Sequence, residues 1–200
     1  EGLNGSEPTL AVDDVSAALS GSAPWLHATF AIGTTEGIGL ASGIVTTITD
    51  GVLPLNGLSG LPLFGPGEPG SFDGVAVSSP ALLLNASSGT ALYYEGSDGD
   101  SSAIGLAQSD DGLSWERVGD GPVLGRGAAG AWDDSSVGSP TVVFDEDNST
   151  YHLWYEGSDG SLSRIGYATS SDGITWVRHT DGSGVSIPVW DGVGLPFALD

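Results

Sequence analysis

One long internal match constrains this 200-residue chain more than any other feature. Residues 94–115 read YEGSDGDSSAIGLAQSDDGLSW, and residues 155–176 read YEGSDGSLSRIGYATSSDGITW, which puts Trp115 and Trp176 61 positions apart. Upstream, Phe72-Asp73 before Ser79-Pro80 matches Trp132-Asp133 before Ser139-Pro140 at a spacing of 60, and Pro62-Leu63-Phe64-Gly65 matches Pro122-Val123-Leu124-Gly125 at the same spacing. A unit this long, with its aromatic and glycine positions held, is a supersecondary structure that has been duplicated. A weaker copy precedes these two. In it Glu7-Pro8 aligns with Ser139-Pro140, residues 25–30 with His27 align with residues 151–155 with His152, and Ile38-Gly39-Leu40-Ala41-Ser42 aligns with Ile165-Gly166-Tyr167-Ala168-Thr169. Trp190-Asp191 followed by residues 195–200 reads as the opening of a fourth copy.

Each full copy divides into four strand signals. They are A at 80–84 and 140–144, B at 90–95 and 150–156, C at 103–108 and 164–169, and D at 113–118 and 174–178. Between C and D stand Asp111-Gly112 and Asp172-Gly173, where glycine supplies the positive φ that a tight hairpin needs. Four antiparallel strands in roughly 60 residues describe a β-propeller blade. The expected fold is therefore all-β, with blades at about 7–55, 62–118 and 122–180 and the first strand of a fourth at about 188–200. Known propellers close with about four to eight blades. Three blades and a strand thus read as part of a longer propeller, with open blade edges that invite a partner, a second copy of the chain included.

Lys plus Arg number 4 against 26 Asp plus Glu, a formal net charge of −22. Nucleic acid and anionic membrane surfaces are excluded as partners, because both demand clustered cations. All four cations are arginines (Arg117, Arg126, Arg164 and Arg178), and there is no cysteine. Schiff-base chemistry, thiol catalysis and disulfides are therefore absent from the options. With no methionine and Glu1 at the start, the sequence reads as a processed or partial chain.

The blade pattern resembles the five-bladed propeller glycosidases, the superfamily of arabinanases, β-xylosidases, invertases and levansucrases. The residues that carry the resemblance are Trp132-Asp133, Ser139-Pro140, the run from Tyr151 to Gly157 and the run from Ile165 to Trp176. The shortened Ser-x-Asp-Gly-x-x-Trp hairpin argues against the sialidase pattern, whose Asp and Gly are separated by one residue. The resemblance implies a five-bladed ring with its site around the axis, where the innermost strands begin. Those positions here are Glu7, Ser79, Ser139 and Leu195, of which Glu7 alone is acidic.

Glycosidic cleavage needs two carboxyl groups flanking the bond. Glu7, Glu95 and Glu156 are the catalytic candidates, although Glu95 and Glu156 read equally as carboxylates that cap a loop in two copies of one turn. Trp132 and Asp133, with Asp73 and Asp191, are the ligand-binding candidates: a ring stacks on a sugar face and a carboxylate meets its hydroxyl rim. The same pairs read equally as inter-blade packing. No cofactor is expected; Asp98-Gly99-Asp100 and Asp145-Glu146-Asp147-Asn148 offer hard oxygens for calcium. The expected function is hydrolysis or binding of neutral oligosaccharide or polysaccharide by a secreted or cell-surface protein. The alternative is a non-catalytic propeller that binds glycans or other proteins.

Overall fold

The computed structural model describes residues 14–20, 26–34, 37–45, 56–57, 64–85, 89–110 and 114–190. Among these residues every regular element is a strand. Blade 1 comprises β1 Asp14–Ser20, β2 Leu26–Thr34, β3 Gly37–Val45 and β4 Asn56–Gly57. Blade 2 comprises β5 Ala76–Asn85, β6 Gly89–Ser97, β7 Ser102–Ser109 and β8 Glu116–Arg117. Blade 3 comprises β9 Ser136–Asp145, β10 Thr150–Ser158, β11 Ser163–Ser170 and β12 Val177–Arg178. Each blade is an antiparallel meander in chain order. Strand β5 neighbours both β1 and β9, so the first strands of successive blades lie side by side. The fold is all-β and built of propeller blades.

The closing strands β8 and β12 are shorter than the sequence expects, and the Asp-Gly turn explains this. Asp172 Oδ1 accepts the backbone N–H groups of Ile174 at 2.8 Å and Thr175 at 2.7 Å, which removes both from the ladder. Ser170 Oγ accepts the N–H of Gly173 at 2.8 Å and donates to Asp172 Oδ1 at 2.8 Å. These bonds hold the Asp172 carboxyl down at about 2. The turn is thus a self-contained unit, and only Val177 and Arg178 remain to pair with β11.

Alternation along β6 fills both faces of blade 2. Leu92 and Tyr94 pack with Phe64, Val77, Leu82 and Ala107 on one face. On the other, Tyr93 joins Ala81, Ile104 and Leu106 against Val137, Leu153, Tyr155 and Ala168 of blade 3. Ile104 and Leu153 are fully buried, each contributing about 2–3 kcal/mol by leaving water. One directed bond crosses this interface: the Tyr93 hydroxyl donates to the Gly173 carbonyl at 2.9 Å, with Trp176 edge-on to the ring at 5.9 Å.

That bond generates a prediction. Tyr93→Phe keeps the ring and strands a buried carbonyl, so equilibrium unfolding in denaturant should show a loss of about 1 kcal/mol. An unchanged midpoint would mean that the blades are held by packing alone.

Candidate functional site

The expected sugar-binding carboxylates lie inside the protein. Asp73 and Asp133 have no solvent exposure. Asp73 Oδ2 accepts from Tyr94 Oη at 2.9 Å and from Arg117 Nε at 2.7 Å, while Arg117 Nη2 donates to the Gly65 carbonyl at 2.7 Å. Blade 3 repeats the arrangement. Asp133 Oδ2 accepts from Tyr155 Oη at 3.0 Å and from Arg178 Nε at 2.9 Å, and Arg178 Nη2 donates to the Gly125 carbonyl. These two aspartates are blade staples, which corrects the expectation that they meet sugar hydroxyls. Each ties the loop before the first strand to the second and fourth strands.

Close approach in the staple explains several glycines. A Cβ on Gly67 or Gly127 would run into the carboxylate of Asp73 or Asp133. A Cβ on Gly105 or Gly166 would run into the ring of Tyr94 or Tyr155, which lies flat over its cross-strand partner. Trp132 belongs to the same construction. Its ring stacks on Tyr155 with centroids 5.7 Å apart and leaves room only for glycine at 157 and 166, while Nε1 reaches Ser186 Oγ at 3.4 Å. Packing engages this ring, so the expectation of a sugar platform at Trp132 is corrected as well.

Burial opposes ionisation of Asp73, but the hydrogen bonds from Arg117, Ser71 and Tyr94 outweigh it and hold the carboxyl below its ordinary value of 3.8. The two staples differ at one atom. Ser71 Oγ donates to Asp73 Oδ1 at 2.8 Å, whereas the equivalent residue Ala131 has no hydroxyl and Asp133 Oδ1 is buried without a partner.

A second group of candidates meets where the first strands begin. Glu95 Oε2 accepts the backbone N–H of Ser139 at 3.1 Å and the Ser79 hydroxyl at 3.3 Å, bridging blades 2 and 3. Only glycine fits at 138, because a Cβ there would meet the Glu95 carboxylate. Ser79 and Ser139 have φ of 48° and 47°, a left-handed conformation rare outside glycine, each immediately before a proline and at a shift in strand register. Strain of about 1–3 kcal/mol per residue persists only where the surroundings over-determine it, and such residues cluster at functional sites. Glu156, equivalent to Glu95, is exposed at the end of β10. No sequence signal marks the strain, since Ser-Pro is compatible with ordinary extended backbone.

Blade 1 departs from the pattern, and the register shows how. Gly33 pairs with Ile38 and Asp14 as Glu95 pairs with Ile104 and Ser78, and as Glu156 pairs with Ile165 and Gly138. Asp14 therefore stands one step before the position of Ser79 and Ser139. The alignment of Glu7 with Ser139 is corrected by this register; Glu7 itself lies outside the described residues. Thr29, pairing with Ser42, is the equivalent of His152, which pairs with Thr169, so His27 falls two positions away from the expected match. Asp14 was missed because the sequence alignment began the first strand too early.

The fourth-copy alignment shifts too. Trp190 pairs with Ile165 as Leu124 pairs with Ile104. Trp190 is thus the counterpart of Leu124 and not of Trp132. Asp191, outside the described residues, then aligns with Gly125 and not with Asp133. The calcium candidates are occupied by their own turns. Asp98 Oδ1 accepts the N–H groups of Asp100 and Ser101, and Asp145 Oδ1 accepts those of Asp147 and Asn148. Among the described residues, no three His, Cys, Asp or Glu side chains gather as metal ligands would.

No protein-family model matches the chain. An uncharacterized protein of Mycobacterium tuberculosis is 33% identical over 139 residues, which are 62% of this chain and 44% of that protein. A 1,2-β-oligomannan phosphorylase of Thermoanaerobacter is 34% identical over 74 residues, 33% of this chain and 24% of that enzyme. This chain therefore spans less than half the length of these curated relatives. Among solved structures, a family 117 glycoside hydrolase of the marine bacterium Zobellia galactanivorans superposes with a TM-score of 0.66 at 15% identity, over 91% of this chain and 57% of that one. The fold is shared with glycoside hydrolases.

Two outcomes follow from the staple. Ala131→Ser should supply the missing donor to Asp133 and raise stability in denaturant by about 1 kcal/mol; a neutral or destabilising result would mean that the Ser71 geometry does not transfer. Asp73 has a folded pKa below its unfolded one, so its stabilisation is complete above the ordinary carboxylate range and is lost as pH falls through the lowered value. Unfolding at pH 7 and pH 3 should show a smaller loss of stability on acidification for Asp73→Asn than for the parent chain. Equal losses would place the acid sensitivity elsewhere.

Proposed function

We propose that the chain forms the glycan-binding mouth of a glycoside-hydrolase-like propeller that takes a neutral oligosaccharide where the first strands begin. The observation that carries this reading is Glu95, a carboxylate fixed between two strained Ser-Pro steps on neighbouring first strands. It sits in a fold shared with glycoside hydrolases over most of the chain. Asp14, Glu95 and Glu156 bring acidic residues to equivalent ends of their blades. In this reading Glu95 and Ser139 bond sugar hydroxyls, and the net charge of −22 disfavours anionic glycans. Hydrolysis requires a second carboxyl flanking the bond, and Asp14 is the residue whose strand position suits that role. The likeness to arabinanases, β-xylosidases and invertases suggests pentose or fructose polymers. The oligomannan phosphorylase relative adds β-1,2-linked mannose to the panel.

The test is calorimetric titration with neutral arabino-, xylo-, fructo- and manno-oligosaccharides, with release of reducing ends followed in parallel. Glu95→Gln should weaken binding of the preferred sugar by at least about tenfold, the size of one charge-assisted hydrogen bond. Asp14→Asn should abolish any reducing-end release while leaving binding measurable. Absence of binding to every neutral sugar, or an affinity untouched by Glu95→Gln, would overturn the reading. Binding without release in the parent chain would support a non-catalytic mouth, which the serines at both Ser-Pro steps favour.

A further inference from the structure

Blade 3 packs one face on blade 2. Its other face carries Thr141, Val143, His152, Trp154 and Tyr167. The aromatic members form one cluster: Trp154 and Tyr167 have ring centroids 5.3 Å apart, and His152 Nδ1 lies 2.6 Å from the Tyr167 hydroxyl. Trp154 is 39% exposed, while its counterpart Tyr93 in blade 2 is 2% exposed. Thr141 is exposed, while its counterpart Ala81 is buried. In blade 2 these positions are covered by blade 3.

We propose that this face is an inter-blade interface, and that its occupant is a further unit of the chain's own repeat, following Trp190 and carrying an Asp-Gly-x-x-Trp turn. Three observations converge on that occupant. Trp190 sits on Ile165 in the register of Leu124 on Ile104, and beyond Leu124 the chain leads into β9, which packs on β6 and β7. Trp154 places an indole N–H where Tyr93 places the hydroxyl that bonds the Gly173 carbonyl, so the incoming turn meets a donor in the same place. A second copy of this chain fits poorly. The sequence of blade 1 has no Asp-Gly-x-x-Trp, Gly173 and Trp176 are engaged by Tyr93, and Trp115 packs within blade 2.

The chain has no cysteine, so an introduced thiol is unique. Thr141→Cys places one on the face, and Val75→Cys, at a site 62% exposed, serves as the reference. In the intact natural polypeptide, maleimide should label position 141 at least about a hundredfold more slowly than position 75, at every protein concentration, because reaction then waits for the blades to open. Equal rates at the two positions would show a bare face and overturn the proposal. Protection at 141 that grows with concentration, together with a doubled mass in sedimentation, would assign the face to a second copy and overturn it equally.

Discussion

A carboxylate with no solvent exposure must be matched by donors and a cation or it unfolds the structure around it. In blades 2 and 3 that requirement organises the architecture. Asp73 and Asp133 each collect a tyrosine hydroxyl from the second strand and an arginine from the fourth, and the same guanidinium reaches back to a carbonyl of the incoming loop. The fourth strand has only two ladder pairs, too few to hold an edge by backbone bonding. The arginine holds it instead. In blade 2 the guanidinium also lies over the Phe64 ring at 4.3 Å, so its exposed side is covered as well.

Blade 1 shows that the parts of this staple are kept or lost together. Ile32 pairs with Gly39 where Tyr94 and Tyr155 pair with Gly105 and Gly166. Gly57 pairs with Ala41 where Arg117 and Arg178 pair with Ala107 and Ala168. A tyrosine without its aspartate would bury an idle hydroxyl, and an arginine without it would lose its main partner. Replacing both by apolar or small residues removes the cost at each end, as expected when a buried polar network is deleted whole.

Repetition made the blades legible, and it misdirected the reading of the site. Strand number, order and the tight C–D turn all followed from a 61-residue offset with aromatic and glycine positions held. The same periodicity drew attention to Trp132-Asp133 and Phe72-Asp73, because an aromatic beside a carboxylate is also how proteins hold sugars. A feature present in every good copy is more readily explained by what every blade needs. The partners were visible too: Arg117 and Arg178 occupy equivalent places two residues after the closing tryptophans, and they are half of all the cations in the chain. A repeated aspartate with a repeated arginine, in a protein otherwise almost without positive charge, already spelled an internal ion pair. The strained serines had no such signature, because backbone conformation at Ser-Pro is set by a register shift between strands.

The informative positions at the mouth are those where copies differ. One step before the Ser-Pro position stand Asp14, Ser78 and Gly138 in successive blades. The last two follow from the blade before. Glu95 of blade 2 lies over position 138, where any Cβ would strike its carboxylate, so glycine is required there. Gly33 of blade 1 occupies the place of Glu95 and puts no carboxylate over position 78, so serine is tolerated. The glutamate at the end of one second strand and the glycine at the start of the next first strand therefore form a single inter-blade device, present between blades 2 and 3 and absent between blades 1 and 2. Asp14 has no such explanation within blade-to-blade packing. An acid at that position, beside a gap left by the missing glutamate, is what a blade looks like when its mouth is released from holding its neighbour and left free to meet a ligand.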